Sequence, residues 1–173
     1  GLNKTRAHLH LELCLKLQDD FENWYSSLKL ATPNRHGVYN GLNLAGFDPA
    51  PVLIQCKDGA EFSLSRHIAK LPVQYVVRTP STGTPPTLVQ RYPFMLKPGP
   101  ANPKSWEISF TGEGVPVSVT PSNQPCPEPA VIKAVPHPFS QLYRTCNRVS
   151  GSSREPRLTA SGKRYIRLIF MGG

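Results

Sequence analysis

His8, His10 and Glu12 occupy alternate positions of His8-Leu9-His10-Leu11-Glu12-Leu13-Cys14-Leu15-Lys16-Leu17, a stretch in which leucine and polar residues alternate without a break. On a β-strand, residues i and i+2 point to the same side. The two imidazoles can therefore share one divalent metal, with the Glu12 carboxylate as a third ligand, and a metal so held polarises a phosphate. The same residues also read as the solvent face of an amphipathic strand whose other face, Leu9, Leu11, Leu13, Leu15 and Leu17, looks to a core.

A second chemical signal is electrostatic. The formal net charge is +9, and from residue 144 onward Arg144, Arg148, Arg154, Arg157, Lys163, Arg164 and Arg167 face Glu155 alone. Such a field attracts polyanions, nucleic acid foremost and an acidic protein or membrane surface next. Tyr143, Tyr165 and Phe170 are interleaved with these cations, and aromatic rings stack on unpaired bases while cations meet phosphates. The alternative is a solvated basic face that maintains solubility.

Two weaker constellations remain. Cys126, His137 and Cys146 can supply sulfur and nitrogen to zinc, with Cys56 or His67 completing the set, but their spacing matches no standard zinc module. Gly112-Glu113-Gly114 lacks the third glycine and the lysine of a phosphate-cradling loop, which argues against nucleotide-dependent catalysis.

His8-Leu9-His10 resembles the histidine-hydrophobic-histidine core of the HUH nucleases, which cut single-stranded DNA at replication origins and transfer sites; the resemblance covers three to five residues. It implies a metal-dependent endonuclease in which His8, His10 and Glu12 hold the ion and a tyrosine attacks the phosphate. Tyr25, with Lys29 four residues on, is the nearest nucleophile.

The elements that must position these groups point to an α+β, β-rich class. We expect one antiparallel or mixed sheet, one main helix packed on it and long Pro-rich loops. Nineteen prolines weigh against a helical bundle, and the length suits a single domain over residues 1–173. Within it lie a Pro-rich loop region, 79–129, and a basic C-terminal segment, 144–173. The opening alternation predicts a strand over His8–Leu17. Phe21, Trp24, Tyr25 and Leu28 predict one helical face over Gln18–Leu30, behind Asp19 and Asp20. Asp58-Gly59 predicts a hairpin between Pro51–Cys56 and Glu61–Leu64. Ser65 would cap a helix over Arg66–Leu71, which Pro72 stops.

Strands are predicted over Val73–Arg78, Leu88–Leu96, Trp106–Phe110, Val115–Thr120 and Val131–Val135, with Pro116 favouring a sheet edge. Phe139–Val149 reads as a helix carrying Arg144 and Arg148 at i, i+4, and Arg164–Met171 as a final basic-faced strand.

No apolar run approaches the ~20 residues of a membrane-spanning helix, so no membrane partner is expected. The widely spaced four cysteines and the absence of a secretory-type leader predict reduced thiols and an intracellular protein. The leading functional reading is a non-enzymatic protein, part of a larger assembly, that binds RNA or single-stranded DNA through Arg144, Arg148, Arg154, Arg157, Lys163, Arg164, Tyr165 and Arg167. It requires no cofactor. The alternatives are the HUH-like nuclease, which needs a divalent metal, and a protein-interaction or structural module whose segment 79–129 lies along a protein partner.

Overall fold

The leucine alternation forms a strand where it finds a partner. In a computed structural model, which describes residues 11–59 and 61–170, β1 (Leu13–Lys16) pairs antiparallel with β2 (Leu44–Phe47), Leu13 opposite Phe47 and Leu15 opposite Ala45. The expected strand extends further back, into residues outside that description. Leu15 and Leu17 are buried as the alternation predicts, whereas Leu11, before the ladder begins, is 53% exposed.

Gln18 turns the chain from β1 into α1 (Phe21–Ser27). Its side-chain oxygen accepts from the Asp19 and Asp20 amides, and its side-chain nitrogen donates to Thr87 Oγ1 and the Leu168 carbonyl. Phe21, Trp24 and Tyr25 bury one face of α1, as their spacing requires. The helix stops before Leu30 because Lys29 adopts a left-handed φ of 50°.

The hairpin predicted at Asp58-Gly59 is instead a helical pair. α2 (Ala50–Lys57) starts with Pro51 in its first turn, a position that needs no amide hydrogen, and Asp48 accepts from the Ala50 amide. Gly59, at φ +71°, ends that helix; the positive φ that suits a hairpin turn suits a helix terminus equally. Ser63, rather than Ser65, caps α3 (Leu64–Ala69) by accepting from the Arg66 amide.

The central sheet has four antiparallel strands in the order β5 (Pro116–Ser122), β4 (Ser105–Phe110), β3 (Tyr75–Pro80), β6 (Ala130–Ala134). Pro116 lies on an edge strand, as expected of a residue that cannot donate to a ladder. Tyr75, Val77, Trp106, Ile108, Phe110 and Val119 are buried on one face. The opposite face carries the Arg78–Glu107 ion pair at 2.7 Å. Leu88–Leu96 is not a strand: α4 (Thr87–Arg91) and a 3-10 turn over Pro93–Met95 replace it, burying Leu88, Val89 and Met95. A short apolar run fits a strand or a buried helix equally by pattern, and here Pro86 and Pro93 bracket a helical turn. The Pro-rich region therefore supplies two sheet strands and a helix besides its loops.

The C-terminal third departs furthest from the sequence reading. α5 is one turn, Gln141–Arg144, capped by Ser140 and ended by positive φ at Cys146 and Asn147. Arg144 and Arg148 therefore do not share a helix. A two-stranded ribbon, β7 (Val149–Gly151) with β8 (Pro156–Leu158), lies alongside β6.

The expected final strand is α6 (Ala160–Phe170), which at eleven residues exceeds α1 in length. Several helices, rather than one main helix, thus surround the sheet. Gly162, Tyr165, Ile166, Leu168 and Ile169 are the buried positions of α6, the last four in the adjacent-pair spacing of a helix. α6 packs against the sheet, the Tyr165 and Phe110 ring centres lying 6.0 Å apart. Among the described residues, no helix is long and apolar enough to cross a membrane.

Candidate functional site

The helical form of residues 160–170 gathers charge that a strand would have split between two faces. Lys163, Arg164 and Arg167 fall within about 100° of one another around a helix of 3.6 residues per turn, and all three are exposed. Thr159 caps the helix, its hydroxyl accepting from the Gly162 amide at 3.0 Å. Lys163 has a 3.4 Å ion pair with Glu128, while Arg164 and Arg167 have no ion pair among the described residues.

Beside this face opens a cavity of about 300 Å³. Trp24 of α1, with Leu28 and Leu30 just after it, forms one wall, and Leu42 and Leu44 a second. Arg148, Ser161, Arg164 and Tyr165 form the third, and among the described residues no carboxylate lines the space. Two cations thus border an apolar interior, a combination suited to a ligand with a flat or apolar body and an anionic group.

Arg148 is held in place by several contacts. Its guanidinium lies 4.3 Å from the centre of the Tyr165 ring, and Nη1 donates to the Glu113 carbonyl at 2.9 Å and the Thr145 carbonyl at 3.4 Å. The cation over the ring face contributes about 0.5–2 kcal/mol. Tyr165 is buried, and its hydroxyl donates to the Gly114 carbonyl at 2.7 Å. Burial pushes its pKa up to about 12 against the opposing pull of Arg148, so the phenol stays protonated at neutral pH. Its ring positions Arg148 and is not open to a base.

The other basic residues are dispersed. Arg154 sits in the turn of the β7–β8 ribbon and Arg157 on β8, both exposed. Arg144 is half-buried, its Nε without a partner among the described residues. The structure therefore brings Arg148, Arg164 and Tyr165 to one cavity, adds Lys163 and Arg167 along α6, and leaves Arg154 and Arg157 on the ribbon.

His8 and His10, the metal pair of the nuclease reading, lie outside the described residues. Glu12 is exposed. Tyr25 is only 8% exposed, and its hydroxyl donates to the Thr32 carbonyl at 2.8 Å, tying down the chain after α1. Cys126 donates through sulfur to the Glu128 carbonyl at 2.8 Å, His137 accepts from the Phe139 amide, and Cys146 is exposed. Among the described residues, no group of three or more His, Cys, Asp or Glu side chains could hold a metal. All four cysteines are free thiols.

Trp24 and Leu42 are cavity residues that sequence reasoning missed. The helical face containing Trp24 was legible; its position opposite Arg164 depends on a long-range packing that local patterns do not encode. No family model, curated protein or solved structure matches the chain.

Proposed function

We propose that this protein binds nucleic acid, RNA or single-stranded DNA, through the outer face of α6 and the adjoining cavity. The observation that carries this reading is the meeting of Arg148 and Arg164 at an apolar cavity with no carboxylate among the described residues that line it. Arg164, Arg167 and Lys163 meet backbone phosphates, each contact releasing a condensed counterion. Arg148, pre-set by the Tyr165 ring and two carbonyls, offers its remaining N–H groups to a phosphate at the cavity mouth. A base or sugar occupies the interior against Trp24 and Leu42. Binding of this kind needs no metal or cofactor, and the free thiols suit a reducing, intracellular compartment.

Fluorescence anisotropy with labelled single-stranded RNA and DNA tests the proposal. Arg164→Gln combined with Arg167→Gln should weaken binding by at least about tenfold at low salt, since each lost phosphate contact removes a share of the counterion-release term, without lowering thermal stability. Undiminished affinity in that variant would remove α6 as the contact surface, and no binding by the unaltered protein at low salt would remove the reading altogether.

A further inference from the structure

A second surface in the same basic region carries aromatic rings instead of cations. Phe139 is 61% exposed and Tyr143 73% exposed, with ring centres 5.7 Å apart. His137 continues the series 5.4 Å beyond Phe139. The support under these rings is stiff. Pro136 and Pro138 flank His137, the His137 ring accepts from the Phe139 amide, and Ser140 caps the turn that carries Tyr143. The Gln74 and Gln141 side chains both donate to the Val135 carbonyl at 2.8 Å, anchoring the start of the loop to the sheet.

A hollow of about 240 Å³ is lined by Phe139 together with Ser152 and Ser153 of the β7–β8 turn that also carries Arg154. Between Glu128 and Glu155 the chain contains Lys133, Arg144, Arg148 and Arg154 and no carboxylate. Exposed rings on a rigid loop in a stretch charged with one sign match a strand of unpaired nucleotides, whose bases present π faces and whose backbone presents phosphates.

We propose that Phe139 and Tyr143 form a stacking platform for unpaired bases, which makes the protein selective for single strands over duplex. This rests on the nucleic-acid reading above. A paired base cannot reach an exposed ring without leaving its stack, so the platform adds affinity only where bases are free.

The test compares a uridine-rich single strand of about a dozen nucleotides, a span of the order of one small binding site, with a duplex of equal length, by anisotropy. Phe139→Leu with Tyr143→Leu keeps apolar bulk and removes both π faces; thermal melting verifies that the variant is folded. Single-strand affinity should fall at least about fivefold for each ring removed, duplex affinity should hold, and Tyr143→Phe should bind like the unaltered protein. Equal single-strand affinity in the double-leucine variant overturns the platform while leaving α6 as the phosphate surface. Absence of binding by the unaltered protein overturns both proposals, whereas sensitivity to Arg164→Gln with insensitivity to the rings overturns this one alone.

Discussion

Gly162→Ala should destabilise the protein, although glycine to alanine inside a helix ordinarily stabilises by about 0.5–1 kcal/mol. The reason is close approach. A Cβ at position 162 would land inside contact distance of the Arg148 carbonyl oxygen and 3.0 Å from Leu158 Cδ2. That carbonyl cannot retreat freely, because it accepts from the Thr159 amide at 3.0 Å and from the Thr159 hydroxyl at 3.2 Å. Moving it strains or breaks the hydrogen bonds that begin α6, each contributing about 1 kcal/mol. Overpacking adds about 1–3 kcal/mol. Against the helix-propensity gain, the net loss should be about 2 kcal/mol, which for a chain of this size lowers Tm by about 4–8 °C.

Urea and thermal denaturation followed by circular dichroism would measure the loss. The same substitution should weaken oligonucleotide binding, because it separates Arg148 from Arg164. A Gly162→Ala protein more stable than the original would refute the packing of α6 against residue 148, and with it the cavity.

Tyr75→Phe should stabilise by about 1 kcal/mol: the buried Tyr75 hydroxyl has no partner among the described residues, and an unpaired buried polar group incurs a desolvation cost; equilibrium denaturation decides the sign. Leu15→Ala should cost about 2–5 kcal/mol and Leu11→Ala no more than about 0.5, since one side chain is buried and the other exposed; equal losses in urea would contradict the assigned strand face. The Asp19 carboxyl is held below its ordinary range by its hydrogen bond to Lys16 and by Arg91. A depressed carboxyl contributes stability present above its unfolded pKa, about 3.9, and lost as pH falls through the lower folded value. Asp19→Asn should therefore narrow the stability difference between neutral and acid pH, and a carbon-detected NMR titration of Asp19 at or above the ordinary value would contradict the pairing.

Sequence patterns were informative where one face of an element meets the core and nothing else competes. Val73–Arg78, Trp106–Phe110, Val115–Thr120 and Val131–Val135 lie within a residue or two of β3, β4, β5 and β6, and the α1 face was read from Phe21, Trp24 and Tyr25. Patterns failed where one local signal serves two structures. Asp58-Gly59 suits a hairpin turn and a helix end alike. In Arg164–Met171 the alternation of Tyr165, Arg167 and Ile169 coexists with the helical pairs Tyr165-Ile166 and Leu168-Ile169, and burial follows the pairs.

The charge excess was visible as composition, yet its placement was not. Arg148 and Arg164 were counted with the other cations, while their meeting across a cavity with Trp24 depends on how α1 and α6 pack. Phe139, directly after Pro138, reads as the first residue of a helix, and nothing in that pattern marks its ring as exposed.

The proposed function requires that phosphates contact α6. Its most direct test is the slope of log Kobs against log salt for a single-stranded oligonucleotide, measured for the unaltered protein and for Arg164→Gln with Arg167→Gln. Each phosphate contact contributes about 0.7 to that slope on single strands, so the variant's slope should be shallower by about 1.4 if both arginines meet phosphates. Parallel slopes for the two proteins would rule out phosphate contact by Arg164 and Arg167, whatever their affinities.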